Sequence, residues 1–299
     1  MIAWIDAEFK VPSRLMPAFE EIRVTLPDRY AAYARYWKPP RCVGAILYHQ
    51  GIQSHCDWYA GSASALCEAG FAVLQVDRRG SGRNAEPRGH AESAEQLITD
   101  ALAARDVLLD RSGCDTYHVV GVSWGGKLAV AGYVTDPVGV ASLSLVTPGL
   151  FPLIGVGKEQ AAKIGFAMLY EPETSFDIPL NDPAMFTASE RWRRFHQSDP
   201  LTLRRCTAGF YLASRRMDRI VARLAGSPPI PLHLMLAGDE RIIDNDKTEG
   251  FIGALRWPEC MTTLYATARH SIEYDAPDAY FRDLCAFIER VAAAERSGA

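Results

Sequence analysis

The sequence predicts an α/β protein with a doubly wound, mostly parallel sheet. Short apolar runs alternate with helical patterns over residues 43–148, and the alternation resumes at residue 231. This order of elements is typical of parallel sheets. Residues 149–230 interrupt it with an irregular, mainly helical pattern that is longer than an ordinary loop. We therefore expect one α/β core formed by residues 1–148 and 231–299, with residues 149–230 as a helical cap insertion.

The strands are predicted from apolar runs. Residues 20–37 are predicted to open the fold as an antiparallel pair. The later strands are nearly continuous apolar runs, as expected where both faces of a sheet are covered. They are VGAILY (43–48), FAVLQV (71–76), YHVVGV (117–122), VASLSLV (140–146), LHLMLA (232–237) and MTTLYA (261–266).

Helices are predicted between these strands. The first covers about residues 58–69 and stops at Gly70, because glycine is common just past the end of a helix. The second covers residues 92–110, where leucines and valines recur at helical spacing. The third covers residues 127–134, and a closing amphipathic helix covers residues 277–294.

The composition excludes several classes of protein. Of the 299 residues, 48% are hydrophobic and 23% charged, which is typical of a globular protein and not of a disordered or coiled-coil chain. The net charge is −4, whereas a nucleic-acid binder normally has a basic excess. No stretch approaches the roughly 18 apolar residues of a membrane span. We expect no nucleic-acid partner and no stable membrane insertion.

The cysteines and the N-terminal residues predict a cytoplasmic protein. There are seven cysteines, an odd number, and no C-x-x-C pair occurs, so a disulfide framework or zinc ribbon is not expected. Scattered thiols fit a reducing compartment. The first ten residues contain acids where a secretory leader needs a basic segment followed by an apolar run.

The motif GVSWGG at residues 121–126 is the strongest chemical signal. It matches G-x-S-x-G, with an apolar strand before it and a helical pattern after it. A nucleophilic serine in this motif sits on a sharp turn from strand to helix, and the flanking glycines avoid collisions across that turn. The positive end of the following helix then lies near developing negative charge. The sequence predicts Ser123 as a nucleophile.

Five segments together resemble the α/β-hydrolase superfamily, and within it the monoglyceride lipase and lysophospholipase group of serine aminopeptidase S33 type. They are QGIQSHCDWY, DRRGSG, GVSWGG, AGDERIID and ARHSIEYD. The resemblance covers roughly residues 43–148 and 231–285. It implies a serine hydrolase that acts through a Ser-His-acid triad and an acyl-enzyme, with a cap over the active site.

The catalytic base is predicted to be His270. In α/β-hydrolases the triad follows the chain order serine, acid, histidine. Among the histidines after Ser123, His196 lies in the insertion and His233 lies inside an apolar strand, where a histidine is usually a core residue. His270 follows the last strand, which is where the resemblance places the catalytic histidine.

The acid is predicted to be Glu240, with Asp239 as the alternative. The loop after LHLMLA reads GDERIID at residues 238–244. The family pattern has the acid two residues after the glycine, and Glu240 occupies that position. Asp239 would need a shift of the loop by one residue. Asp244 is expected to cap the next helix.

Two backbone N–H groups are predicted to form an oxyanion hole. One belongs to Trp124, the residue after the nucleophile. The other belongs to Ile52, in the loop after the strand VGAILY. Gln50 occupies the place of the histidine that the family usually has in this loop. Because the donors are backbone groups, the change of side chain does not remove them.

The sequence therefore predicts a hydrolase of carboxylic esters whose substrate is a small-molecule acyl ester. The resemblance suggests monoacylglycerols, lysophospholipids or similar single-chain esters. No cofactor is expected, since neither G-x-x-x-x-G-K-[ST] nor a helix-opening G-x-G-x-x-G occurs, and no catalytic metal, since H-E-x-x-H is absent. Thioesterase, aminopeptidase or acyltransferase chemistry on the same triad stays open. So do a non-catalytic binding protein on this scaffold and a lipase that docks on membranes.

The insertion has two features with open interpretations. It contains eight arginines between residues 191 and 219, which form either a solvated helix surface or a contact for anionic head groups. Its apolar pieces FPLIGVG and IGFAMLY either line an acyl pocket or form the buried faces of a small helical cap.

Overall fold

The fold is an eight-stranded, mostly parallel sheet with helices on both faces. The computed structural model describes residues 19–84 and 86–298. The strands follow the order β1-β2-β4-β3-β5-β6-β9-β10; β1 and β2 are antiparallel to each other, β2 is antiparallel to β4, and the remaining pairs are parallel. The strands of this sheet are β1 (Phe19–Thr25), β2 (Ala31–Trp37), β3 (Gly44–His49), β4 (Phe71–Val76), β5 (Tyr117–Val122), β6 (Val140–Val146), β9 (Leu232–Ala237) and β10 (Cys260–Tyr265).

Helices connect the strands and fill the insertion. They are α1 (Ala60–Glu68), α2 (Ala94–Ser112), α3 (Trp124–Thr135), α4 (Lys158–Tyr170), α5 (Glu190–Ser198), α6 (Ala208–Val221), α7 (Asn245–Ala254), α8 (Ile272–Asp275) and α9 (Pro277–Gly298). A second, two-stranded sheet pairs β7 (Ser175–Asp177) with β8 (Arg205–Thr207) inside the insertion. The chain thus has the doubly wound fold that the sequence predicts.

The strand order places the functional loops at one edge of the sheet. The chain moves from β3 outward to β4, then crosses back over β3 to β5 and continues to β6. Because such crossovers are right-handed, the helix after β3 lies on the opposite face from the helices after β4 and β5. The direction of winding therefore reverses beside β3. Ligands of open α/β sheets bind at such a reversal, outside the carboxyl ends of the strands.

The predicted strands match the observed ones to within about one residue at either end. The four strands 71–76, 117–122, 140–146 and 232–237 have the predicted bounds. All positions of β5, β6 and β9 are buried, which explains their continuous apolar sequences. His233 is a buried core residue, as predicted, and its Nε2 lies 2.9 Å from Thr263 Oγ1.

Two elements differ from the prediction. Helix α3 begins at Trp124 and not at residue 127, because the glycine pair continues the helix and lets it approach neighbouring backbone. The three-residue strands β7 and β8 lie in a segment predicted to be helical and irregular. Each is too short to give an alternating pattern, and their pairing depends on contacts some 30 residues apart in the chain.

The later part of the insertion is fastened to the core by a seam of hydrogen bonds, which we define as residues 199–207. Leu203 N donates to Gln53 O (2.9 Å), and Thr207 N donates to Gly89 O (3.0 Å). Arg88 donates to the carbonyl oxygen of Leu201 (2.8 Å). The earlier part of the insertion is packed less closely, since Phe166, Leu169 and Tyr170 of α4 are largely exposed. Within the described ranges, no helix is both long and apolar enough to cross a membrane.

Candidate active site

Ser123 lies on the sharp turn between β5 and α3. Its backbone is held at φ 53°, a conformation that is costly for a residue with a side chain. Three hydrogen bonds fix this turn: Ser123 N donates to Val146 O (2.9 Å), while Gly126 N (2.9 Å) and Gly149 N (2.7 Å) donate to Ser123 O. These hydrogen bonds stabilise the strained conformation of Ser123, and its side chain projects at the carboxyl end of the sheet.

The loop after β3 packs directly against this serine. A Cβ atom built on Gly51 would lie 3.4 Å from the Cβ atom of Ser123. On the other side, a Cβ atom on Gly125 would come within 2.3 Å of His49 O and 2.6 Å of Gln50 O, so only glycine allows α3 to approach the loop. The glycines at this contact thus bring Ser123 and the loop of Ile52 together.

Two amide N–H groups at this contact have no acceptor among the described residues. Trp124 is the first residue of α3, so its N–H has no partner within the helix. Neither Trp124 N nor Ile52 N donates a hydrogen bond to any residue that the structure describes. The two predicted oxyanion-hole donors thus flank Ser123 with their N–H groups unused. An arrangement of this kind can stabilise negative charge on a carbonyl oxygen.

His270 and Glu240 are brought together beneath the surface. His270 Nδ1 lies 2.9 Å from Glu240 Oε2 and 3.0 Å from Oε1, and both side chains are only 2% exposed. Glu240 Oε1 also accepts hydrogen bonds from Ile242 N (2.8 Å) and Arg241 N (2.9 Å). Burial acts to raise the pKa of Glu240, but the His270 ring and these amides outweigh it and lower that pKa. Glu240 is therefore held as a carboxylate against the imidazole.

The competing carboxylates have other partners. The Asp239 side chain is 45% exposed and forms ion pairs with Arg241 (2.8 Å) and Arg269 (3.0 Å). Asp244 caps α7, as predicted, by accepting a hydrogen bond from Lys247 N (3.0 Å). Of the three acids in this loop, the structure places Glu240 beside His270.

The opposite nitrogen of His270 is unpaired. Nε2 is buried and has no hydrogen-bond partner within the described ranges, Ser123 Oγ included. Hydrogen bonds between catalytic groups are often long without substrate and tighten when it binds. The histidine is positioned by Thr147, whose Oγ1 donates to the His270 carbonyl oxygen (3.0 Å). No motif in the sequence marks Thr147, because this contact joins residues 123 positions apart.

Behind the Ile52 loop, a buried charge network connects the loop to the insertion. His55 Nε2 lies 2.7 Å from Asp199 Oδ2, which also accepts hydrogen bonds from Trp58 Nε1 (2.8 Å) and Thr202 Oγ1 (2.9 Å). Burial acts to raise the pKa of Asp199, but these donors, His55 above all, lower it strongly. His55 therefore has a structural role, and Asp199 anchors the insertion to the core.

The surroundings of His270 are aromatic. The Phe186 ring lies 6.0 Å from the His270 ring and 6.1 Å from the Trp58 ring, measured between centroids. Phe186 is thus the aromatic neighbour of His270, and Trp58 packs against Phe186; both side chains are buried. In the described part of the chain, no group of three or more histidine, cysteine or acidic side chains is placed to hold a metal ion.

Comparison with known families assigns the chain. The sequence profile of the hydrolase family described as serine aminopeptidase, S33 matches residues 40–277. The chain belongs to this family. The matched range includes Ser123, Glu240 and His270, so it spans all the candidate residues and the insertion between them. The chain is thus a serine hydrolase with the α/β-hydrolase fold.

Curated relatives of the family include peptidases. A proline iminopeptidase of Levilactobacillus brevis is 26% identical over 220 residues, which cover 68% of this chain and 70% of the relative. A proline iminopeptidase of Xanthomonas citri is 28% identical over 135 residues. That second match covers 45% of this chain and only 41% of the relative, so less than half of its length is spanned.

Solved structures with this fold include lipases. The Paleococcus ferrophilus monoacylglycerol lipase superposes with a TM-score of 0.77 at 19% identity, over 88% of this chain and 98% of that one. A soluble variant of the Saccharomyces cerevisiae monoglyceride lipase gives a TM-score of 0.78 at 17% identity, over 95% and 98%. At these identities the likeness shows the shared fold.

Proposed function

We propose that the protein hydrolyses carboxylic esters through a triad of Ser123, His270 and Glu240. The observation that carries this proposal is the arrangement of His270: Nδ1 faces a buried carboxylate, and Nε2 has no partner among the residues that the structure describes. A histidine held in this way can take a proton at Nε2 while the carboxylate stabilises the resulting cation. The Ile52 and Trp124 N–H groups are proposed as the oxyanion hole.

The reaction proceeds in two halves. Ser123 Oγ attacks the ester carbonyl carbon while His270 Nε2 takes the hydroxyl proton, and the negative oxygen is held by the two N–H groups. The tetrahedral intermediate then breaks its bond to the alcohol, which leaves with the proton from His270. Water attacks the acyl-enzyme in the same way, and the carboxylic acid is released with Ser123 restored.

The substrate is proposed to be a lipophilic single-chain ester of the monoacylglycerol or lysophospholipid type. The apolar ring of Phe186 beside His270 supports a lipophilic acyl group. Residues 149–230 are proposed to form a cap domain over a core of residues 1–148 and 231–299. All seven cysteines are free thiols, which supports a cytoplasmic location.

Peptide hydrolysis is the second candidate, and the proline iminopeptidases among the relatives favour it. The same triad can attack an amide, so the distinction rests on what the cap admits. An aminopeptidase must also recognise the free amino group of its substrate, which a neutral ester lacks. Activity on a prolyl arylamide compared with an aryl ester of similar size therefore separates the two.

Labelling with a fluorophosphonate tests the nucleophile, followed by mass mapping of the modified peptide. We expect a single adduct on Ser123, absent in Ser123→Ala, with ester turnover lowered by several orders of magnitude in that variant. Ser112→Ala, at the end of α2, is the matched control and should keep wild-type labelling and activity. Folded protein that stays unlabelled, with and without detergent, would contradict the proposal and favour a binding protein on this scaffold.

A further inference from the structure

Arg78 touches both residues proposed to form the oxyanion hole. It follows β4, next to the loop after β3, and its Nη2 donates to the carbonyl oxygen of Ile52 (3.0 Å). The same guanidinium lies over the Trp124 ring, 4.6 Å from its centroid, and 4.9 Å from the Phe210 ring centroid. One side chain thus bridges two loops that are separated by about 70 residues in the sequence.

The charge of Arg78 has no carboxylate partner within the described ranges. The next residue, Arg79, is different, since it forms ion pairs with Asp28 (2.8 Å) and Asp100 (2.5 Å).

Asp77 also neighbours Arg78, but its oxygens accept hydrogen bonds from Cys56 N (2.8 Å) and Arg83 N (2.9 Å). The Nε atom of Arg78 is buried without an acceptor. Burial lowers the pKa of Arg78 to about 10, so the side chain stays charged at neutral pH.

A partly buried cation without an acidic partner is costly, and structures normally pair it with an acid. Removing the charge by a change to an apolar side chain would avoid that cost. The position of Arg78 offers a reason to keep it, because negative charge develops at the oxyanion hole during the reaction and a nearby cation is attracted to it. The positive charge of Arg78 would then face the negative oxyanion in the transition state, whereas it faces no carboxylate among the described residues in the free protein.

We propose that Arg78 is a positioning residue for the oxyanion hole. Its hydrogen bond fixes the backbone at Ile52, its stacking fixes Trp124, and its positive charge favours the oxyanion. The inference rests on the proposed function, since it requires that Ile52 and Trp124 flank the reacting carbonyl. It predicts that Arg78 acts on the transition state far more than on the bound substrate.

The test compares Arg78→Met and Arg78→Lys with a matched control, Arg88→Met. Arg88 is also partly buried and donates to backbone carbonyls, those of Gly82 (2.9 Å) and Leu201 (2.8 Å), but it makes no hydrogen bond to Ile52 and does not stack on Trp124. Each variant is assayed for kcat and KM on a neutral aryl ester. Inhibition is measured with a trifluoromethyl ketone, which adds to the serine, and with the matching methyl ketone, which resembles the ground state.

We expect Arg78→Met to lower kcat about 10- to 100-fold, less than the loss of a whole oxyanion donor, with KM changed by less than about threefold. The trifluoromethyl ketone should weaken by a similar factor while the methyl ketone does not. Arg78→Lys keeps the charge without the stacked, hydrogen-bonded plane, so it should recover part of the loss. Arg88→Met should stay within about threefold of wild type in kcat.

Two results would overturn the inference. The first is an Arg78→Met variant that is no slower than Arg88→Met. The second is an equal weakening of both ketones, which would show a general effect on the pocket. Thermal unfolding of each variant identifies any loss that comes from unfolding. Ser123→Ala, assayed alongside, separates the two proposals: an inactive Ser123→Ala with a fully active Arg78→Met rejects the role of Arg78 alone. A fully active Ser123→Ala would reject both.

Discussion

Replacing Glu240 with glutamine removes the charge that faces His270 while keeping the shape of the side chain. Both carboxylate oxygens of Glu240 lie within 3.0 Å of His270 Nδ1, and the pair is almost fully buried. The imidazolium that forms when Ser123 loses its proton would then face a neutral amide in a poorly screened site. The amide also offers an N–H₂ donor that can select the wrong tautomer of the ring.

The structure sets the size of the expected effect. In the serine protease that serves as the general example, the equivalent change lowers kcat by about 10⁴. Glutamine retains a carbonyl that can accept from Ile242 N or from His270 Nδ1, so we expect a loss of about 10²–10⁴ in kcat for Glu240→Gln. Asp239→Asn changes a half-exposed side chain paired with the exposed Arg241 and the largely buried Arg269, and it should cost less than about twofold.

Steady-state hydrolysis of an aryl ester by the two variants, at equal folded concentration, measures this difference. The rate of inactivation by a fluorophosphonate gives a second readout of nucleophile activation, independent of substrate release. The reasoning would be refuted by an Asp239→Asn variant slower than Glu240→Gln. That outcome would mean that the loop shifts by one residue in the working enzyme and that Asp239 orients the histidine.

Two further predictions concern stability. Asp199→Asn should lower stability by about 3 kcal/mol, because it breaks a buried pair with His55, and the difference from wild type, measured by urea unfolding, should shrink below about pH 4. The sign follows from the lowered pKa of Asp199, whose contribution is present above its unfolded pKa and is lost as pH falls towards the folded one; a difference that grew on acidification would contradict it. Burial raises the pKa of Glu273 to about 8, so ionisation opposes folding increasingly from about pH 4.5 to 8. Glu273→Gln, which can still accept from Ser62 N, should therefore stabilise the protein at pH 8 more than at pH 5, and an equal effect at both would show that the carboxyl is not responsible.

Most of the sheet could be predicted because its strands are covered on both faces. Such strands consist of unbroken apolar runs, and β4, β5, β6 and β9 have the predicted bounds. The short strands β7 and β8 could not be found in this way. Only three residues long, they are defined by their pairing with each other.

In the candidate site, too, residues in local motifs could be predicted, whereas contacts between distant parts of the chain could not. Ser123 lies in a local motif, and the loop positions of Glu240 and His270 follow from the resemblance; their catalytic roles stay predictions until the variants are measured. The contacts that support them join distant parts of the chain, such as Thr147 with His270 and His55 with Asp199, 144 residues apart. Side chains of this kind have no sequence pattern of their own, since threonine, histidine and aspartate also occur in ordinary loops and caps.

The seam at residues 199–207 limits how the insertion can admit a substrate. Leu203 N donates a hydrogen bond to the carbonyl oxygen of Gln53, the residue next to Ile52. A movement of the seam away from the core would therefore displace the backbone beside the proposed oxyanion-hole donor. If the insertion is the proposed cap, we expect substrate to enter on the side of α4, which carries few buried residues. Substitutions near α4 should then change the capture of substrate, whereas those that disturb the contact between Leu203 and Gln53 should change the rate of the bond-breaking step.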